Sequence, residues 1–99
     1  MTKIKKMADK IEDELCSAKE YAENYLSEKA KGNSQLANRY KEMANDEIKH
    51  AMYIHDIAVA EIESLRKIYT PPQRMLEKWE KSHAKYVEKT AWIKQMLSM

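Results

Sequence analysis

Three ionisable residues stand where the helical pattern of the chain calls for apolar side chains. Glu14 interrupts one apolar stripe, and Glu47 and His50 interrupt a second stripe further along. Apolar residues at alternating steps of three and four form the buried side of a helix. A carboxylate buried there without a partner is costly or takes up a proton, so these positions require a partner such as a metal ion. The two stripes are Ile4, Met7, Ile11, Glu14, Ala18, Tyr21 and Tyr25, and Leu36, Tyr40, Met43, Glu47, His50, Ile54 and Ile57.

Spacing places these three residues at one height of a helical hairpin. Glu14 lies 18 residues before Gly32, and His50 lies 18 residues after it. If two antiparallel helices meet at Gly32, equal distances from the turn bring both residues to the same level. Glu47 precedes His50 by three residues and therefore projects from the same helix face. The hairpin is expected to present two carboxylates and one imidazole together.

Two interruptions of helical periodicity divide the chain into three helices. They are Lys31-Gly32-Asn33-Ser34 and Tyr69-Thr70-Pro71-Pro72, both rich in residues that end or begin helices. The third helix is expected to open with Thr70 as its N-cap and Gln73 completing a capping box. The predicted helices span about 2–30, 34–68 and 71–97. The expected fold class is all-α, a long antiparallel helical hairpin plus a third helix, in one domain over residues 1–99.

Composition supports a small helical protein. The 99 residues include one glycine, two prolines and no phenylalanine, and 18 basic against 16 acidic residues leave a net charge of +2. Because the charges are interspersed, nucleic acid is an unlikely main partner. No apolar run matches a secretory signal or a membrane span, so we expect a cytoplasmic protein without membrane contact.

Association with a second copy would complete both the core and the cluster of acids. The second helix, about 50 Å long, exceeds what one short chain can cover. Its alanines at intervals of seven, Ala37, Ala44, Ala51 and Ala58, are interpreted as a packing surface. A two-fold dimer of hairpins would gather four glutamates and two histidines, whose charge balances two divalent ions. Oxygen donors with one nitrogen suit iron or manganese. Without metal, the crowded acids should have raised pKa values.

The motif resembles the first half of the ferritin-like di-iron carboxylate proteins. Glu14 in ELCSAKEY, Tyr21 seven residues later, and Glu47 and His50 in ANDEIKHA carry the resemblance, which covers about residues 8–60. The short chain is most similar to the encapsulated ferritins, which build their site between two subunits. The resemblance implies a four-helix bundle completed by a homodimer or larger homo-oligomer. It also implies two iron ions per interface, or manganese or another divalent cation in their place, and ferroxidase-like oxidation of Fe(II) by dioxygen.

In this interpretation Glu14, Glu47 and His50 are the metal ligands, and Tyr21 packs beside them or donates a hydrogen bond to them. No segment after Leu97 resembles a shell-targeting tail, so an encapsulating shell has no support from the sequence.

Other interpretations of the same residues stay open. Glu14, Glu47 and His50 could instead specify the register or partner of a metal-free helical interaction module. A weaker alternative is a nucleic-acid-associated bundle that uses the N-terminal lysines. Glu80 and His83 lie about 15 Å from the height of the cluster, so a local Glu61–His83 pair is expected. His55 is interpreted as a packed or interface histidine.

Overall fold

The computed structural model describes residues 2–99, and three α-helices account for most of them. They are α1 (Thr2–Ala30), α2 (Ser34–Ile68) and α3 (Gln73–Leu97), and no strand occurs in the described range. The prediction of an all-helical chain with three helices is confirmed. The long helices give an elongated molecule of 56 × 18 × 17 Å. None of the described helices combines the length and apolar character needed to cross a membrane.

Gly32 ends α1 and reverses the chain. Its φ of 83° lies in the left-handed region that glycine adopts without steric cost. The Gly32 N–H donates to the Lys29 carbonyl at 3.0 Å, and the Asn33 N–H donates to the Glu28 carbonyl at 2.9 Å. These bonds satisfy carbonyls that the last helical turn leaves free. Because α2 begins directly after Asn33, the two helices form the expected antiparallel hairpin.

The start of α3 differs from the prediction. Pro72, not Thr70, occupies the N-cap position, and its carbonyl accepts the N–H groups of Met75 and Leu76 at 3.1 and 3.2 Å. The side chain of Gln73 turns along the helix instead of forming a capping box. The reason is that a residue before proline disfavours helical backbone angles, so Pro71 cannot belong to the first turn.

The alanine stripe of α2 is the seam against α1. Ala37, Ala44, Ala51 and Ala58 are all buried, as are the α1 residues Ile11, Leu15, Ala18, Ala22 and Tyr25. Side chains this small allow two helix backbones to approach closely along much of the hairpin. The interpretation of the alanines as a packing surface is therefore confirmed.

The neighbouring stripe of α2, predicted to be buried, is largely exposed. Leu36, Met43 and Ile57 are 43%, 41% and 56% exposed. An alanine directly follows each of these three residues and points about 100° away from it around the helix. Because α1 covers only one of these two directions, the alanines are buried and the larger side chains are exposed. Leu36, Met43, Tyr53 and Ile57 together form what we call the open apolar face.

Helix α3 runs parallel to α1 on another side of the hairpin. Lys89 approaches Glu12 at 3.9 Å, and the ammonium of Lys19 lies 5.7 Å from the ring centre of Trp92. Glu12 and Lys19 point roughly opposite to Glu14 on the α1 helical wheel. The third helix therefore leaves the open apolar face uncovered.

Candidate metal centre

Glu14, Glu47 and His50 come together where α1 and α2 face each other at mid-height. Each offers one ligand atom, and these atoms all lie within 4.8 Å of one another. His50 Nδ1 lies 3.4 Å from Glu47 Oε1 and 3.7 Å from Glu14 Oε2. Equal distance from the Gly32 turn and a spacing of three residues on α2 bring them together, as the sequence predicts.

The cluster lies at the rim of the alanine seam rather than in the core. The side chain of Glu14 is 12% exposed, that of Glu47 22%, and that of His50 54%. Both carboxylates are therefore largely shielded, while the imidazole reaches the open apolar face. This arrangement gives an ion a route from solvent and leaves part of its coordination for ligands from outside the hairpin.

The spacing of the donor atoms fits one divalent cation after small adjustments. Two ligand atoms that are each about 2.1 Å from one ion are at most about 4.2 Å apart. The limit of 4.8 Å in the present arrangement requires side-chain shifts of less than about 1 Å. Carboxylate oxygens with one imidazole nitrogen suit iron or manganese better than cations that prefer thiolates.

The two carboxyl groups shift each other's pKa values in opposite directions. The hydrogen bond with Glu14, followed by burial, raises the pKa of Glu47 above its usual value. The same hydrogen bond, with further contributions from Lys10 and His50, lowers the pKa of Glu14. Glu47 is therefore the member of the pair that holds a proton more strongly. The pKa of Glu47 shifts in the direction expected of crowded acids, whereas that of Glu14 shifts in the opposite direction because its neighbours stabilise its charge.

Lys10 is a participant that the sequence reasoning missed. Its Nζ lies 3.2 Å from Glu14 Oε1, while the other oxygen of Glu14 faces His50. The signal was present, since a lysine four residues before a glutamate lies on the same helix face. Lys10 places a positive charge beside a candidate ligand and therefore affects how strongly that ligand attracts a cation.

Tyr21 lies two turns from Glu14 toward the hairpin turn and stacks on Tyr40. Their ring centres are 6.5 Å apart, with an angle of 24° between the ring planes. Among the side-chain hydrogen bonds of residues 2–99, none joins Tyr21 to the cluster. The hydrogen-bonding role of Tyr21 beside the ligands stays a prediction.

The ionisable residues of α3 lie outside the cluster, and the predicted Glu61–His83 pair is wrong. Glu61 Oε2 instead lies 3.4 Å from Nζ of Lys3, near the start of α1. His83 contacts His55, whose Nε2 lies 2.8 Å from His83 Nδ1. His55 faces α3 directly, which the helix spacing alone did not reveal because the orientation of α3 depends on its packing against α1.

The chemistry open to the cluster is binding of a divalent cation by three side chains, with further coordination positions left free. No protein-family model, curated protein or solved structure matches this chain.

Proposed function

We propose that this chain is a ferritin-like metal-binding protein that pairs with a second copy and oxidises Fe(II) with dioxygen at the shared interface. The observation that carries the proposal is the convergence of Glu14, Glu47 and His50 beside an uncovered apolar surface. Ionisable groups held together at such a place are more typical of a functional site than of a solvated helix face.

The open apolar face supports the dimer. Leu36, Met43, Tyr53 and Ile57 lie along the side of α2 from which His50 projects, and water contact with them is unfavourable. In a dimer related by a two-fold axis, these side chains would cover one another and complete a four-helix bundle. The same symmetry would bring two copies of the cluster together, with four carboxylates to balance two divalent ions.

Each side chain has a distinct role in this proposal. Glu14 and Glu47 bind the ions through oxygen, and His50 binds through nitrogen. Protons compete with the ion for Glu47, because a ligand must be deprotonated to coordinate. Tyr21 packs on Tyr40 and supports the hairpin two turns from the ligands. When bound, a pair of Fe(II) ions supplies the electrons that reduce dioxygen, and the protein supplies position and charge balance.

An anaerobic titration with Fe(II), combined with sedimentation, tests the proposal. We expect a dimer that binds two iron ions per two chains and consumes dioxygen when air is admitted. Glu47→Ala should abolish binding and oxygen consumption. Asp46→Ala is the matched control, because Asp46 is an exposed acid on the neighbouring position of the same helix. A stable monomer that binds no iron would refute the proposal.

A second candidate function is a metal-free interaction module, and Lys10 favours it. The Lys10–Glu14 ion pair and the hydrogen bond between Glu14 and Glu47, which raises the pKa of Glu47, give both carboxyl groups partners without any ion. In that case the cluster would specify which helix face pairs with which. A dimer that persists in strong chelator and weakens on Glu47→Ala, with no iron binding by the parent protein, would support this function instead.

A further inference from the structure

A second group of metal-ligating side chains lies between α2 and α3. His55 on α2 and His83 on α3 approach with Nε2 and Nδ1 only 2.8 Å apart. His55 follows His50 by five residues, which is about 7.5 Å along the helix and about 140° around it. His55 therefore lies on a different face of α2 from His50, and its contact with His83 is separate from the cluster described above.

Aromatic rings hold His55 in place. The ring of Tyr86 lies parallel to it, with centres 4.5 Å apart and 9° between the planes, and the ring of Trp79 is centred 5.6 Å away. The side chain of His55 is only 14% exposed. An imidazole confined in this way loses little conformational freedom when it binds a ligand.

Asp56 prepares His55 to act as a ligand. Its Oδ1 lies 3.5 Å from His55 Nδ1, which favours the neutral tautomer with its proton on Nδ1 and its lone pair on Nε2. Histidines that bind metals commonly donate their other ring N–H to a carboxylate or carbonyl in this manner. In the tautomer that Asp56 favours, the lone pair of Nε2 faces Nδ1 of His83 and can accept a hydrogen bond from it.

We propose that His55 and His83 form a second cation site, specific for a late first-row divalent ion such as Cu(II), Ni(II) or Zn(II). Two nitrogens that are each about 2.0–2.1 Å from one ion at a right angle are separated by about 2.9 Å, close to the observed distance. The ion would lie to one side of the line between the two nitrogens and would replace the hydrogen bond between the rings. Each neutral ring would keep its one proton on the nitrogen that does not bind the ion, so no net proton would be released.

The surroundings provide room for the remaining ligands. A groove of about 350 Å³ adjoins His83 and is also lined by Glu63, Arg66 and Glu80. Its volume accommodates water molecules that complete the coordination. The two carboxylates offset the guanidinium of Arg66, so the groove does not repel a cation by net charge.

The two sites should prefer different cations because their donor atoms differ. The pair of imidazoles favours copper, nickel and zinc, whereas the carboxylate-rich cluster at Glu14 suits harder ions such as iron and manganese. A cation bound by His55 and His83 also joins α3 to α2, although α3 lies mainly along α1. Loading this site therefore stabilises the docking of α3.

Titration of the Glu47→Ala protein with Ni(II) and Cu(II) tests the site without the contribution of the other cluster. We expect one ion per chain, and at least a tenfold loss of affinity on His55→Gln or His83→Gln. Asp46→Asn in the same background is the matched control, because Asp46 is exposed and belongs to neither site, and it should leave the affinity unchanged. Equal affinity in the His83→Gln protein, or no bound ion in the background protein, would overturn the proposal.

A measurement on the parent chain does not depend on whether the variants fold. Substoichiometric Cu(II) broadens the NMR signals of nearby amides, and the earliest losses should surround residues 55 and 83. The electron paramagnetic resonance spectrum should show coupling to two nitrogens. Early broadening confined to other parts of the chain would overturn the assignment, whether or not iron binds at Glu14.

Discussion

Glu47→Gln should stabilise the metal-free protein while removing its response to metal. Glutamine retains the size of the side chain and can donate permanently to the Glu14 carboxylate, as protonated Glu47 does. Because the pKa of Glu47 is raised in the fold, the ionised form destabilises the protein once the pH rises through that value. At neutral pH the substitution removes this cost. Below the ordinary carboxyl pKa of 4.5 the two proteins should have equal stability.

The magnitude follows from the separation of the two carboxylates. The ligand atoms of Glu14 and Glu47 lie no more than 4.8 Å apart, and two unit charges at that distance repel each other by about 0.9 kcal/mol in water. Partial exposure keeps the effect near the value for water. For a domain of about 100 residues, about 1 kcal/mol raises the melting temperature by about 4 °C or more. Divalent metal at 100 times its dissociation constant should stabilise the parent protein by about 2.7 kcal/mol. The Glu47→Gln protein should therefore be more stable than the parent protein in chelator and less stable than it with metal.

Thermal unfolding followed by circular dichroism measures both effects, first in chelator and then with Mn(II) or anaerobic Fe(II). Asp46→Asn is the control, since this exposed acid has no part in the cluster and its replacement should change neither melting temperature appreciably. A lower melting temperature of the Glu47→Gln protein in chelator at neutral pH would show that the two carboxyl groups do not repel each other. A full response of that variant to metal would show that Glu47 is not a ligand.

Four further outcomes follow from the same geometry. Lys10→Met should tighten divalent-ion binding by about fivefold, measured by calorimetry at low salt, because an ammonium 3.2 Å from Glu14 opposes a cation. High salt should reduce this difference. Lowering the pH from 7 to 5 should weaken binding, since protons compete for Glu47 with its raised pKa. Ala51→Leu should cost about 1–3 kcal/mol of unfolding free energy in denaturant titrations, because the seam has no room for a larger side chain. Ile57→Asp should shift sedimentation toward the monomer with little loss of monomer stability, as Ile57 is 56% exposed.

Several features of the fold were accessible from local sequence. The break at Gly32 predicted both the end of α1 and the reversal of direction, because a positive φ is a property of one residue and its nearest neighbours. Counting residues from that break placed Glu14 level with Glu47 and His50. The start of α3 was wrong by two residues, since the restriction that Pro72 imposes on Pro71 outweighed the capping preference of Thr70.

Other features depend on contacts between distant parts of the chain. Leu36 and Ala37 are both apolar and adjacent on α2, yet only Ala37 is buried. Hydrophobicity favours leucine for the core, but close approach of two helices favours alanine, and the balance depends on the partner surface of α1. The pairing of His83 with His55 instead of Glu61 likewise depends on where α3 lies along α1.

The amino-acid sequence by itself determined three helices, one hairpin turn and the common height of Glu14, Glu47 and His50, since helix rise and turn chemistry act over a few residues. Only the tertiary structure decided that the alanine stripe is the seam and that the cluster lies at its rim. The opposite pKa shifts of Glu14 and Glu47 and the approach of His55 to His83 were also decided there. Burial, pKa and ring contacts depend on atoms contributed by other helices, and their positions emerge only when all three helices pack.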